Sequence, residues 1–293
     1  MAQTELVIHQ QTAGQVAHFI ARPSHALLLV GPDGIGKGIL ARHLVAQILE
    51  LADTQAVDMS HAVSVIIPDE KQTISIEAVR TLQRFLKLKT AGKKQLRRAI
   101  IVEHAQAMTT EAQNAFLKLL EEPPADTLVI MTAANQQSLL PTILSRVQML
   151  AIMEPLKEQL LAFFNNYPQS AVMQTYFLSG GLPGLMKALL DEDNQHPLVQ
   201  AVTRAKLLLQ QDLFTRLVTV EQISKQKADV QQLCVALHRI AHTALEQAAI
   251  KNDVRRIAQW QRIIKAASDA QKMLAANANT KLTVTQLMLH LSS

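Results

Sequence analysis

Through the first 155 residues, short runs of consecutive apolar side chains alternate with segments of helical periodicity. Ala26–Val30, Val63–Ile67 (interrupted only by Ser64), Ala99–Val102 and Leu128–Met131 are four such runs, and Ala151–Met153 makes a fifth. A strand with no polar position has no face to offer water. Such runs, separated by helices, predict a parallel sheet buried on both sides in an α/β domain. The sharpest helical segment is Thr110–Glu122. Its Ala112, Ala115, Phe116, Leu119 and Leu120 fall at i, i+3, i+4, i+7 and i+8, one apolar stripe. Thr110 is placed to cap it, Gln113 completes a capping box three residues on, and Pro123-Pro124 stops it.

Residues 156–196 read as a small helical domain with one sharp break, Gly180-Gly181-Leu182-Pro183-Gly184. Residues 197–293 contain no glycine and a single proline, Pro197, which predicts a third domain that is nearly all helix. The expected division is therefore 1–155, 156–196 and 197–293.

Composition narrows the class. The chain has 293 residues, of which 48% are hydrophobic and 18% charged, as in a folded globular protein. No stretch approaches the roughly 20 apolar residues of a membrane helix. The N-terminus shows no basic segment leading into an apolar core, so no secretory signal is expected. The single cysteine, Cys234, excludes an internal disulfide framework and a zinc site of several thiolates. A reducing, cytoplasmic setting follows. The net charge of +5 is unevenly placed. Residues 197–293 hold 13 Lys and Arg against 6 Asp and Glu, whereas residues 1–196 hold 16 against 18. The basic excess suits nucleic acid or an acidic partner, but charge runs are usually solvated faces and a solvated helical surface is the preferred reading. The same two readings hold for Lys87, Lys89, Lys93, Lys94, Arg97 and Arg98, a basic run with no aromatic for base stacking.

The candidate chemistry begins after the first apolar run. Gly31-Pro32-Asp33-Gly34-Ile35-Gly36-Lys37-Gly38 lies between that run and a helical pattern over Ile39–Leu51, the setting of a P-loop. Gly31, Gly34 and Gly36 would let successive N–H groups turn toward phosphate, and Lys37 would reach the outer phosphates. The last position should carry a hydroxyl for Mg²⁺ and is Gly38 instead. Glu103, at the end of the third run, stands where the metal-shell acid belongs, and His104 stands where a water-activating Glu is expected. The reach and charge of an imidazole are wrong for that role, and an ordinary strand-end histidine is the preferred reading. These defects argue against hydrolysis and leave the binding of ATP or ADP open. His43, His61 and His104 show no metal spacing, so no metal and no zinc are expected.

Several segments resemble the AAA+ clamp-loader subunits of bacterial DNA polymerase III, the delta-prime type in particular. They are Ser24–Leu28 leading into Gly31–Lys37, Ile74–Arg80, Asn114–Pro124 with its Leu-Leu-Glu-Glu-Pro-Pro, and Leu139–Arg146. Weaker matches are Ser179–Gly184 and Asn277–Leu282, so the resemblance runs through almost the whole chain in order. It implies an AAA+ P-loop domain with a parallel sheet, then a helical lid and an all-α collar that oligomerises with other loader subunits. It implies that Arg146, in Ser145-Arg146-Val147, is a finger inserted into a neighbouring subunit's ATP site. Thr132 falls at the sensor-1 position, and Pro183 falls where active loader ATPases carry the sensor-2 Arg. The four-cysteine zinc module of many members is replaced by Leu51–His61.

The resulting expectation is a non-hydrolysing subunit of a heteromeric ring. Its partners would be gamma/tau-like motor subunits and a delta-like subunit, with the sliding clamp and primed DNA reached through the complex and no membrane involved. The chain would act as a rigid reference while ATP bound elsewhere lets the ring open the clamp. Two alternatives remain at this stage: an active ATPase motor using Lys37, Glu103 and Thr132, or a nucleotide-gated binding subunit without hydrolysis.

Overall fold

The computed structural model describes residues 6–69, 72–86, 96–191 and 196–291. Five strands, β1 (Ala26–Val30), β2 (Val63–Ile66), β3 (Arg98–Val102), β4 (Thr127–Ala133) and β5 (Gln148–Ala151), form one sheet in the order β2-β3-β4-β1-β5. Every pairing is parallel. All four long apolar runs are strands. The fifth strand lies three residues earlier than its run, because Gln148–Ala151 pairs with Leu27–Val30 and Ile152 adds only one last N–H bond to Val30. As an edge strand it buries only Leu150, so its sequence carries little apolar signal.

Helices α1 (Gln10–Ala21), α2 (Lys37–Leu49), α3 (Thr54–Met59), α4 (Ile76–Leu86), α5 (Thr110–Glu121) and α6 (Pro141–Leu144) accompany the sheet. Leu28, Ile100, Val102, Val129 and Met131 of the strands pack with Val79 and Leu82 of α4 and Phe116 of α5 in one core. The segment expected only to bridge from α2 to β2 contains α3, which Asp53 caps by accepting the Ala56 N–H at 2.7 Å.

The α5 stripe is buried as expected at Ala112, Phe116, Leu119 and Leu120, but the capping box is not formed. Thr109, one residue earlier, is the cap and accepts the Ala112 N–H at 3.2 Å. Gln113 faces the interior instead. Its amide donates to the carbonyls of Met108 (3.3 Å) and Ser138 (3.2 Å) and accepts the Leu140 N–H (2.8 Å). The Met108 carbonyl is buried and would otherwise lack a partner, and the bonds to Ser138 and Leu140 are partly buried.

The chain divides into two compact units, Met1–Leu160 and Leu161–Ser293, with α7 (Lys157–Phe163) running across the division. The second unit contains α8 (Gln169–Ser179), α9 (Pro183–Leu190), α10 (Pro197–Gln210), α11 (Leu213–Ile223), α12 (Lys227–Ile250), α13 (Val254–Ala275) and α14 (Thr280–His290). Gly180 and Gly181 take positive φ values of 67° and 75° and end α8, a conformation that favours residues without a Cβ. Arg239 of α12 donates to the carbonyl of Leu178 at 3.2 Å and to that of Ser179, joining α8 to α12. Burial pulls the Arg239 guanidinium below its ordinary pKa. Along α12, Leu233, Leu237 and Ala241 are buried, while Ile240 and Leu245 are half-buried. Among the described residues, no helix is long and apolar enough to cross a membrane.

Candidate functional site: a P-loop with an internal cation

β1 delivers the chain into Gly31–Gly36, and α2 begins at Lys37. Gly34 (φ 88°) and Gly36 (φ 96°) adopt the left-handed conformation that the loop's reversal demands, and Gly36 is the residue before the helix. Gly31 donates its N–H to the Ala133 carbonyl at 3.2 Å, which ties the loop's start to the end of β4. Lys37 is buried, and its ammonium donates to the carbonyls of Gly31 (2.7 Å) and Pro32 (3.0 Å) and to the Asp33 carboxylate (3.0 Å). All three ammonium protons therefore have partners within the loop.

Parallel pairing brings the ends of β3 and β4 beside this loop. Glu103 follows β3 and lies against the loop's helix end: a Cβ placed on Gly38 would meet its Oε2, Oε1 and Cδ at 3.1, 3.2 and 3.3 Å. Thr132 is buried in β4, and its hydroxyl accepts the His104 N–H at 3.0 Å, so it fastens β4 to the chain leaving β3. His104 has a positive φ of 51°, uncommon for a residue with a Cβ. Its Nδ1 lies 3.8 Å from the Asp33 carboxylate and 3.5 Å from the Gln106 amide nitrogen.

One participant was not singled out from sequence. Arg42, one helical turn after Gly38, hydrogen-bonds Glu103 through one terminal nitrogen, which also donates to the Gly38 carbonyl at 3.2 Å. Its Nε lies 2.9 Å from both oxygens of Asp58 on α3. Burial alone would lower the Arg42 pKa, but hydrogen bonds to Asp58 and Glu103 and their negative charge outweigh it and hold the group above its ordinary value. The signal available in the sequence was the i, i+4 spacing from Gly38.

A P-loop of this class implies Mg²⁺ held by a loop hydroxyl and a strand-end acid. The residues here do not fit that ion. Position 38 has no side chain, the room it leaves is filled by the Glu103 carboxylate, and Arg42 already neutralises that carboxylate.

Arg146 follows α6 and is not part of the loop's contacts. Pro141 opens that short helix, Ile143 buries it, and Gln113 holds its entry at Leu140. The Arg146 guanidinium is one-third exposed. It lies 2.9 Å from the Glu121 carboxylate and donates to the Thr142 carbonyl (2.9 Å) and the Ser145 hydroxyl (3.2 Å). Pro183 is buried at the first position of α9. Of the basic run, Lys87, Lys89, Lys93 and Lys94 lie outside the described residues. Arg97 and Arg98 are not a free basic surface: both pair with Asp126, at 3.2 and 2.6 Å, and Arg98 is buried.

A glycine loop between β1, an interior strand of a 2-3-4-1-5 parallel sheet, and α2, followed by helical units, defines an AAA+ P-loop protein. Residues 15–155 match the family model described as DNA polymerase III, delta subunit. The chain is 34% identical over 213 residues to the DNA polymerase III subunit delta' of Pseudomonas aeruginosa, covering 66% of this chain and 64% of that protein. To the subunit delta' of Escherichia coli it is 31% identical over 127 residues, covering 42% of this chain and 37% of that one. The matched part thus spans less than two thirds of either relative. A gamma-subunit-related DNA polymerase III protein from Thermotoga maritima shares the fold, with a TM-score of 0.53, 19% identity and coverage of 96% of this chain and 98% of that one. Over these matched parts the chain is related to the delta-prime subunits of DNA polymerase III.

Proposed function

We infer that the chain is a non-hydrolysing subunit of a clamp loader, which supplies Arg146 in trans to nucleotide bound on an adjacent motor subunit. The observation that carries this reading is the contrast between two arginines. Arg42 is spent inside the chain's own P-loop, on Glu103 and Asp58. Arg146 is held at the surface by Glu121 alone among carboxylates of the described residues, on a loop braced from below by Gln113. A planar guanidinium at such a site can stabilise charge on a transferring phosphoryl group. The family relationship supports gamma/tau-like and delta-like subunits as ring neighbours, and a sliding clamp on primed DNA as the ring's target. Exposed Phe214 and Val218 on α11, and Ile250 and Val254 at the α12–α13 turn, support a collar that packs against those neighbours.

The test is ATP turnover by a reconstituted loader ring with clamp and primed DNA, comparing wild type with Arg146→Ala after equal assembly is confirmed. Arginine fingers contribute on the order of 10³–10⁵ in rate at one site; the other sites of the ring dilute that figure. A clear loss is expected. Unchanged turnover in an intact ring would leave only a scaffold role, and failure to assemble would remove the loader reading.

A further inference from the structure

Three features meet at Gly38. The position lacks the hydroxyl that a P-loop uses to hold a divalent ion. The missing side chain gives Glu103 room to lie against the backbone, with its carboxylate atoms 3.1 to 3.3 Å from where a Cβ would stand. Arg42, one turn further along α2, then closes on that carboxylate from the helix side and carries Asp58 with it. The Arg42 and Glu103 side chains are only 21% and 18% exposed, so this pair is screened less than a surface ion pair. A guanidinium keeps its charge throughout the accessible pH range, and its fork matches carboxylate oxygens. A dication at Glu103 would meet the guanidinium's charge on the same carboxylate.

We propose that Arg42 is a resident cation at the metal position of this P-loop, so that the chain takes up no divalent ion there, with or without nucleotide. Glycine at 38 and arginine at 42 are then two halves of one substitution. The first removes a ligand and makes room for the acid, and the second supplies the positive charge that the acid would otherwise draw from Mg²⁺. This deepens the non-hydrolysing half of the reading above and is independent of Arg146.

The probe is Mn²⁺, followed by its electron paramagnetic resonance on the full chain, with radiolabelled ATP binding measured in parallel by equilibrium dialysis. Wild type is expected to leave the Mn²⁺ signal as in buffer and to show the same ATP binding, or the same lack of it, in EDTA and in Mg²⁺. Arg42→Ala leaves Glu103 and Asp58 without their cation. It should bind Mn²⁺ at least about tenfold more tightly than wild type, since one or two carboxylates with water suffice for such an ion. Arg42→Lys, which keeps the charge, should behave as wild type. Circular dichroism checks that each variant is folded, and Arg42→Gln carries the same test if the alanine variant is not. Mn²⁺ uptake by wild type, ATP binding strengthened by Mg²⁺, or a folded Arg42→Ala with no gain in Mn²⁺ affinity overturns the assignment. Mg²⁺-dependent binding without turnover overturns it while leaving the non-hydrolysing reading in place; turnover at Lys37 overturns both.

Discussion

The Arg146 guanidinium rests 2.9 Å from the carboxylate of Glu121, the last residue of α5, so the finger candidate is held by the helix that precedes it in sequence by more than one element. Both side chains are partly exposed, at 35% and 48%. Pairs of this kind contribute roughly 0–1 kcal/mol. Arg146→Ala and Glu121→Gln should therefore each change urea-unfolding stability by less than about 1 kcal/mol. A larger loss for Arg146→Ala would mark it as a structural arginine and undercut its role in trans.

Gln113 should behave in the opposite way. It satisfies three backbone groups from inside the molecule, and each buried group left unpaired costs about 1–3 kcal/mol. Gln113→Leu is expected to lose at least about 2 kcal/mol in urea unfolding. In a ring that still assembles, it should also reduce turnover, because the entry to α6 sets where Arg146 sits. A stable variant with normal turnover would contradict this placement.

Asp126 holds Arg98 in a buried pair and Arg97 at its edge. Removing one partner of a buried pair costs about 3–5 kcal/mol, since the other charge stays behind. Asp126→Ala should fall in or just below that range by chemical denaturation. Arg98→Ala should likewise lower stability, with no change in the salt dependence of DNA binding by the assembled ring. A shallower salt slope would return Arg98 to the DNA-facing surface.

Cys234 is fully buried in α12, and burial pushes its thiol up to about 12. The thiolate is the reactive form. Ellman's reagent at pH 8 should leave the folded chain unlabelled and modify one thiol per chain once it is unfolded. Rapid labelling under native conditions would show that the α12 packing opens readily.

Glu111, in the first turn of α5, is held below the ordinary carboxylate range by its own backbone N–H and by the Thr109 hydroxyl. A carboxyl depressed on folding stabilises the native state above its unfolded value and loses that contribution as pH falls through the folded one. Stability should therefore decline below pH about 4.5. Glu111→Gln should flatten part of that decline in thermal melts between pH 3 and 6. Superimposable profiles would assign the acid sensitivity to other carboxylates.

What the sequence determined by itself was whatever rests on local pattern. β1, β3 and β4 are buried on nearly every position, so their uninterrupted apolar runs announced them, and Phe116 with its stripe announced α5. The glycine loop at residues 31–36 was legible because only glycine suits the positive φ at 34 and 36. Three things depended on neighbours distant in the chain and were decided only by the tertiary structure. β5 is an edge strand, located by its partner β1 rather than by its own apolar content. Gln113 had the spacing of a capping box, but the demand of buried carbonyls on the loop before α6 turned it inward. Arg42, Asp58 and Glu103 lie on three separate elements, α2, α3 and the end of β3, and sequence offers no measure of that convergence. Parallel packing brings them together, and the electrostatics of one guanidinium between two carboxylates sets the character of the P-loop.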